Sequence, residues 1–428
     1  MIQIIFKTLW NQRRKNGWIL IEMILVGFFL WKAVGVIFQT EYIAHLSSGY
    51  SDDGVFRIEM AEHGNDHQMY NPAADNDSAR IDNIGRIIHA ISQCPYVCSL
   101  FVLRGSAAIP NYDNYESTGI MIDTTSYNVQ LYSETIYEGA DIFKTYEIRD
   151  AYTDKNMKKN KTLPADKSIY ISKSLADKYF KHANPIGRML KLEGGDSLTR
   201  VAGVFTDVQT QCDHVPGFLA IIPCVLKPED IKNYVGLCFR IKPGVDGQAF
   251  EKHFRQDVAP RLSAGNYYMV HLQSLKDIRK NYEKVYTVNT LYYNILMSGF
   301  FLLCTFIGMV GTFWIRSNNR RGDIGMMKSM GCSQSRIVRQ FLTESWMLTT
   351  ISFILAVVWR LNVEYYGDFF KVDAIYADSP YLTYHPIILF LINSGLTYLI
   401  MLAIALIGTY IPVRRAVRTL PAESLRDE

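Results

Sequence analysis

Apolar residues along the chain gather in four long blocks, which cover residues 18–38, 292–315, 341–359 and 386–411. Each block is near or above the roughly 20 residues that an α-helix needs to cross a hydrocarbon core of about 30 Å. Between residues 40 and 284 no comparable run occurs. The pattern therefore predicts one membrane-spanning helix, a large insert outside the membrane, and then three further spanning helices.

The insert alternates between strand and helix periodicity. Residues 55–60 alternate apolar and polar positions as a strand does, and a helical run that ends before Pro95 has an apolar stripe. The members of that stripe are Ile81, Ile84, Ile87, Ile88 and Ile91. Further strand-like runs cover 120–132, 168–171, 188–192, 199–204 and 267–272, and further helical runs cover 173–180 and 247–258. This mixture predicts an α+β domain in two lobes.

Charge decides which side of the membrane each segment faces. Apolar residues make up 49% and charged residues 20% of the 428 residues, and the net charge of +4 is unevenly spread. Basic residues cluster before the first span, between the second and third, and after the fourth: Lys7, Arg13, Arg14, Lys15, Arg316, Arg320, Arg321, Lys328, Arg336, Arg414, Arg415, Arg418 and Arg426. The connection 361–385 is acidic. The positive-inside rule then places both termini and the basic loop in the cytoplasm.

The same distribution argues against two other classes of protein. The basic residues flank membrane segments instead of forming one face, so a nucleic-acid partner is not expected. The first apolar block is longer than a signal-peptide core and no small-x-small cleavage site follows it, so a retained anchor is favoured. Residues 2–10 have the pattern of a short amphipathic helix at the membrane interface.

The sequence offers no strong candidate for a metal site or a catalytic centre. Of the seven cysteines, an odd number lies in the insert: Cys94, Cys98, Cys212, Cys224 and Cys238. The spacing of the first two does not match a redox or zinc motif, and the Cys212-Asp-His214 triplet is isolated. We therefore expect ordinary thiols, no metal, no cofactor of the chain's own and no catalytic residues.

Two carboxylates fall within the predicted spans. Glu22 lies in the first span and Glu344 about two turns into the helix that enters the third. A charged side chain at the centre of a membrane costs about 3 kcal/mol on insertion scales unless it faces protein or water. For Glu22, contact with another helix or subunit and a shallow, hydrated position are equally good interpretations.

The basic loop 316–336 has the pattern of a short helix with its own apolar side. Asp323 would start the helix, where its charge favours the positive helix end, and Ile324 and Met327 would share a face. Gly331 is placed to end the helix and Ser333 to cap the next. Such a design exceeds what a simple connector between two membrane helices needs.

The exit from the insert predicts a stalk. Leu275, Ile278, Tyr282 and Val285 recur at helical spacing, and the run enters the second span without proline or glycine. A continuous helix here could carry motion across the membrane, whereas the alternative is a helix that only anchors the insert.

At this point the sequence resembles the MacB/FtsX family of ABC-transporter permeases. The residues that carry the resemblance are the segment from Arg320 to Ser333 with residues 337–344, the tail from Pro412 to Arg426, and the runs 171–180, 184–187 and 201–205 of the insert. The order of these segments and the four-span plan with a large domain after the first span also match. The family usually has Glu where this chain has Asp323.

The resemblance implies how the protein works. It implies an ATPase-coupling site at Arg320, Arg321, Asp323, Ile324, Gly325, Met327, Lys328 and Gly331. The chain contains no Gly-x-x-x-x-Gly-Lys-[Ser/Thr] motif, so ATP is expected to bind a separate cytoplasmic ATPase. By mechanotransmission, that ATPase would move the external domain without substrate passing between the spans. A homodimer or a heterodimer with a related permease, a periplasmic adaptor and a place in the bacterial inner membrane are further implications.

The predicted division of the chain follows from these segments. It comprises an amphipathic segment with the first span (1–39), an extracytoplasmic domain (40–271), the stalk with the second span (272–315), the coupling loop (316–336), and the last two spans with a short tail (337–428). The proposed cargo ranges over drugs, peptides and lipoproteins. Two alternatives remain open at this stage, a membrane-anchored ligand sensor and a regulator of a cell-wall hydrolase.

Overall fold

In a computed structural model, the chain forms two units. The structure describes residues 13–104, 109, 116–122, 125–135, 140–159, 167–181, 183–192, 198–225, 227, 235–319, 321–366, 381 and 386–418. The membrane unit comprises residues 1–42, 289–371 and 384–428, and the external unit comprises residues 43–288 and 372–383. The expected amphipathic segment 2–10, Arg320, most of the acidic connection 361–385 and the end of the tail lie outside the described residues.

The helices include four that are long and apolar enough to cross a membrane. In chain order the helices are α1 (Arg13–Ala44), α2 (Asp77–Ser92), α3 (Ile142–Tyr146), α4 (Lys173–Phe180), α5 (Gly247–His253), α6 (Leu275–Tyr282), α7 (Asn289–Asn319), α8 (Arg321–Ser329), α9 (Gln334–Tyr366) and α10 (Pro386–Arg418). The membrane helices are α1, α7, α9 and α10, which confirms the predicted four-span plan with a large insert after the first span.

The external unit is built on one ten-stranded sheet. Its strands are β1 (Val55–Glu62), β2 (Val97–Arg104), β3 (Glu116–Ile122), β4 (Thr125–Thr135), β5 (Ser168–Ser172), β6 (Met189–Leu192), β7 (Leu198–Phe205), β8 (Leu219–Cys224), β9 (Val235–Ile241) and β10 (Tyr267–Ser274). Their spatial order is β10-β1-β9-β2-β4-β3-β6-β7-β5-β8, and β4 also pairs with β8. An α+β domain is therefore present, as predicted.

The extra pairing closes part of the sheet into a ring. Strands β4, β3, β6, β7, β5 and β8 follow one another, and the parallel pairing of β8 with β4 returns to the start. The remaining strands, β10, β1, β9 and β2, form an antiparallel sheet that joins the ring where Leu103 of β2 pairs with Glu134 of β4. The two predicted lobes thus correspond to two parts of a single sheet.

Successive side chains along the ring strands belong to two different apolar clusters, one on each face of the strands. In β8, Ala220 belongs to one apolar cluster together with α4, whereas its neighbours Leu219 and Ile221 belong to another with α3 and α6. Such alternation is what strand geometry requires, because successive side chains point to opposite faces. Both faces of these strands are therefore buried.

The antiparallel part of the sheet is covered by α2 and α5. Four of the predicted stripe residues of α2, from Ile84 to Ile91, are at most 3% exposed and pack with Phe250 and Phe254. Ile81, the fifth predicted member, is 38% exposed, so its assignment to the stripe is wrong. The preceding residue, Arg80, takes the inward position instead, since it is 8% exposed and its Nε lies 3.4 Å from Glu62 Oε1 of β1.

The backbone that leaves the external unit is helical, as the predicted stalk requires. A π-helical stretch, Glu283–Val288, follows α6 directly and leads into α7 without a break. Leu275 and Ile278 are buried as expected, but Val285 is 55% exposed. The π-helical stretch was not predicted, and such stretches often occur at functional positions.

The buried carboxylate of Glu134 joins the ring to α3 and to Lys159. Glu134 is 1% exposed, and its carboxylate accepts hydrogen bonds from the Ile142 backbone N–H at 2.9 Å and from Lys159 Nζ at 2.8 Å. Lys159 also donates to the Ala140 carbonyl at 2.7 Å. Burial raises the pKa of Glu134 to about 7, although Lys159 opposes the shift.

We predict that Lys159→Met destabilises the external unit in a pH-dependent manner. Because the folded-state pKa of Glu134 lies above its ordinary value, the stability that this group contributes is present at low pH and lost as the pH rises through about 7. At pH 8 the variant leaves a buried, charged carboxylate without its cation, which costs about 3 kcal/mol. Near pH 5 Glu134 is protonated and the loss is small.

Hydrogen–deuterium exchange of β4 and α3 amides in the full chain, corrected for intrinsic rates, measures this difference. The exposed neighbour Lys158 supplies the matched control, Lys158→Met. An equal loss of protection at both pH values would contradict the assigned role of Glu134.

Candidate functional site

Helix α8 is held in place by an apolar cluster at the ends of two membrane helices. Ile324 is 1% exposed and packs with Ile337 and Phe341 of α9 and with Val413 and Val417 of α10. Each of these five side chains is at most 2% exposed. The nine-residue helix is therefore packed against a defined apolar cluster of the membrane unit, which we call the seat of α8.

The end of α8 has the geometry that its glycine predicts. Gly331 has a φ of +84°, and its N–H donates to the Lys328 carbonyl at 2.9 Å. The Cys332 N–H donates to the Met327 carbonyl, also at 2.9 Å, and both side chains belong to the seat cluster. These paired bonds form a Schellman motif, which ends a helix sharply and favours glycine. The chain can then turn directly into α9.

The exposed side of α8 is apolar. Met326 and Met330, one turn apart, are 55% and 69% exposed. Methionine is flexible and polarisable and is common on surfaces that bind other proteins. These two residues were not among the predicted coupling residues, although their i, i+4 spacing on the side opposite Ile324 was visible in the sequence.

The predicted coupling residues of α8 whose side chains the structure describes divide into two groups. Ile324 and Gly325 are buried inside the membrane unit, so they support α8 from within. Met327 and Lys328 are half-buried at its edge. The side chains of Arg321 and Asp323, like the whole of Arg320, lie outside the part that the structure describes. Their role in contacting an ATPase stays a prediction.

Aromatic rings beside the basic residues mark the same end of the membrane unit. The guanidinium of Arg415 lies 5.3 Å from the ring centre of Trp314, and that of Arg414 lies 5.5 Å from the ring centre of Tyr410. Cation–π contacts of this kind contribute about 0.5–1 kcal/mol at exposed sites. The contact between Arg415 and Trp314 joins the end of α7 to the end of α10. Arg415 lies close in sequence to Val413 and Val417, which pack against α8.

The structure places Glu22 of α1 directly against Gly308 of α7. A side-chain carbon at position 308 would collide with the Glu22 carboxylate. The first and second spans are therefore in contact near Glu22. The contact favours the interpretation in which Glu22 faces another helix over the shallow, hydrated one.

Glu344 is fully buried in α9, beside a hydrogen-bonded group of hydroxyls. Next to it, Ser345 Oγ donates to the Ala405 carbonyl of α10 at 3.3 Å, and Thr409 Oγ1 donates to Ser345 Oγ at 2.9 Å. Hydroxyls that bond across helices stabilise membrane bundles modestly and allow close approach. The acid thus faces the interior of the bundle, where intramembrane carboxylates normally lie.

A second polar group joins α1 to α10 and α9. Trp31 donates through Nε1 to Ser394 Oγ at 3.0 Å, and Asn393 Nδ2 donates to the Trp31 carbonyl at 3.0 Å. The buried guanidinium of Arg360 lies 5.3 Å from the ring centre of Trp31 and 5.0 Å from that of Phe28. This arrangement fixes the relative rotation of the three helices.

Comparison with protein families identifies the membrane unit. Residues 295–421 match the family model described as FtsX-like permease C-terminal, and this range holds most of α7 together with α8, α9 and α10. The match confirms the predicted resemblance to the MacB/FtsX family of ABC-transporter permeases. The four long apolar helices support a multi-pass membrane protein, and the part from residue 295 to 421 is similar to FtsX-like permeases. No curated protein sequence matches the chain.

Solved structures similar to the chain include two external domains of transporters. The periplasmic region of MacB from Actinobacillus actinomycetemcomitans is 12% identical, with a TM-score of 0.33 over 56% of this chain and 97% of that chain. The extracellular domain of the noncanonic ABC-type transporter YknZ from Gram-positive bacteria is 12% identical, with a TM-score of 0.30 over 50% and 100%. TM-scores in this range are too low to support an argument about function.

The external unit offers no obvious metal site within the residues that the structure describes. In that part of the chain, no three His, Cys, Asp or Glu side chains are grouped as metal ligands would be. His214 Nδ1 lies 2.8 Å from Asp213 Oδ1, and the neighbouring Cys212 is buried. The His–Asp contact gives that triplet an ordinary structural explanation.

We predict that Gly308→Val destabilises the membrane unit. The added side chain would push against the Glu22 carboxylate and separate α1 from α7, at a cost of about 1–3 kcal/mol for overpacking. Gly311→Val is the matched control, since nothing lies within 4 Å of a side-chain carbon there. Thermal unfolding of the purified chain in detergent compares the two variants. Equal unfolding temperatures would show that Glu22 and Gly308 are not in close contact.

Proposed function

We propose that this chain is the membrane subunit of an ABC transporter that couples ATP hydrolysis by a separate ATPase to movement of its external unit. The observation that carries the proposal is α8, a short helix between two spans that is seated by Ile324 and presents Met326 and Met330 outward. A helix of this kind can be pushed by a partner and pass the force to α7 and α9. The family match supports the same function.

The charge around α8 supports a cytoplasmic protein as the partner. Lys328 and Arg336 flank the exposed methionines, and Arg414 and Arg418 follow on α10. Basic residues at one end of a set of membrane helices favour the cytoplasmic side. The interface would then combine an apolar centre with a basic rim, a common arrangement for a surface that binds another protein.

The movement would reach the external unit through the helix that contains the π-helical stretch. Residues 275–319 form one helical run from the buried Leu275 to the loop before α8. Such a run can transmit a displacement without a substrate path between the spans. Export of drugs, peptides or lipoproteins is compatible with this mechanism, in the inner membrane of a bacterium with both termini inside.

We also propose that the permease works as a dimer in contact along α7. Five of its exposed apolar residues recur at the spacing of a coiled-coil seam: Tyr293, Leu296, Phe300, Leu303 and Ile307. These side chains are 57–75% exposed. Helices with this periodicity associate through one face. The second copy could be the same chain or a related permease, and an external adaptor could join the assembly.

We predict that the double variant Met326→Glu/Met330→Glu loses its ATPase partner. Two carboxylates would replace the apolar centre of the proposed interface, and leaving them buried and unpaired would weaken binding at least tenfold. Co-purification of the detergent-solubilised permease with the co-expressed cognate ATPase measures this loss.

Met69→Glu is the matched control, because Met69 is 67% exposed in the external unit. Charge reversal at Arg320 and Arg321 should also weaken the complex. An undiminished complex with the double methionine variant would show that α8 is not the docking surface.

We predict that cysteines on the exposed stripe of α7 cross-link two copies of the chain. In a Cys304→Ser background, Leu296→Cys should form a disulfide-linked dimer in membranes, since it lies on the proposed seam. Leu302→Cys should not, because Leu302 packs inside the membrane unit against α1 and α10. Equal cross-linking of both variants, or of neither, would contradict a homodimer along this stripe.

A further inference from the structure

The connection between β7 and β8 is buried although it has no regular secondary structure. Asp207, Gln209, Thr210 and Gln211 are each at most 9% exposed. Connections usually run over the surface, because buried polar groups require hydrogen-bond partners. We call residues 206–218 the buried loop. The hydrogen bonds of the buried loop show which other segments of the chain are attached to it.

Asp207 binds two separate segments through its two carboxylate oxygens. Oδ1 accepts a hydrogen bond from the Ser174 backbone N–H of α4 at 2.8 Å, and Oδ2 accepts one from the Tyr381 hydroxyl at 3.1 Å. Burial raises the pKa of Asp207, whereas the hydrogen bonds from Ser174 and Tyr381 oppose the shift. These bonds therefore satisfy a carboxylate that is largely removed from water.

The segment that follows α1 is joined to the same loop. The Gln209 N–H donates to the Ser48 carbonyl at 2.9 Å, and Ser51 N–H donates to the Tyr146 carbonyl at 2.8 Å. Gly49 has a φ of +75°, and a side-chain carbon there would collide with the Asp207 carbonyl. The close approach of the two backbones depends on glycine.

A cavity of about 480 Å³ borders these contacts. Tyr50, Arg149, Thr206, Asp207 and Tyr381 are among the residues that line it. Because the buried loop faces this open space on one side, it has room to shift when either attached segment moves. The side chain of Tyr381 forms part of the cavity wall.

We propose that the Tyr381–Asp207 hydrogen bond is a tether that links the sequence between α9 and α10 to the buried loop, and that it passes movement of these two spans to the external unit. Tyr381 lies between the third and fourth spans in sequence, yet it belongs to the external unit. The chain thus has a third attachment, besides the segment after α1 and the helix before α7. This inference rests on the proposed function, since it adds a route for the same movement.

The tether can be tested on the full chain, assembled with its cognate ATPase in lipid nanodiscs, by hydrogen–deuterium exchange with and without ATP. Tyr381→Phe removes only the hydroxyl. Without ATP, amides of the buried loop and of Ser174 should exchange about tenfold faster, as the loss of a hydrogen bond to a charged group implies. Tyr152→Phe is the control, because Tyr152 is 54% exposed in the same unit.

With ATP, the wild-type complex should change its exchange in both the buried loop and α6. Tyr381→Phe should reduce the change in the loop several-fold and leave that in α6 intact. The tether is overturned if the loop responds equally in the variant, if it does not respond in the wild type while α6 does, or if exchange without ATP is unaltered. A wild-type complex in which neither segment responds would instead overturn the proposed function.

Discussion

The position of α8 depends on the burial of Ile324 between α9 and α10. A nine-residue helix is too short to be stable alone in water, because helices under about 12–15 residues are marginal. Burying one isoleucine stabilises by about 2 kcal/mol, and the surrounding cluster multiplies that effect. Seated in this way, α8 is held against both α9 and α10.

Several other contacts between the spanning helices are polar, and they serve a different purpose. In lipid, apolar side chains gain little from leaving one hydrocarbon surface for another, so packing and hydrogen bonds decide which helix faces which. Glu22 against Gly308, Ser345 with Thr409, and Trp31 with Ser394 each join a different pair of spans. Together they define one arrangement of helices around the seat of α8.

The spans were predictable from sequence because membrane helices need long apolar runs, and Gly331 was predictable because few other residues adopt its conformation. The ring of strands was not predictable, since the pairing of β8 with β4 joins residues about 90 positions apart and leaves no local signal. For the coupling site, the pattern predicted the helix, and the family resemblance placed Ile324 and Gly325 among its ATPase-coupling residues. Only tertiary packing shows that these residues face inward and that Met326 and Met330 face outward.

The closure of the six-stranded ring has a consequence for how the external unit behaves outside the membrane. An open sheet has two free edges, and each presents unpaired backbone groups that can recruit a strand from another molecule. Among the strands that the structure describes, β8 pairs with both β5 and β4, whereas β10 pairs only with β1. The outer edge of β10, the eight residues from Tyr267 to Ser274, is therefore one to which a strand from another molecule could add.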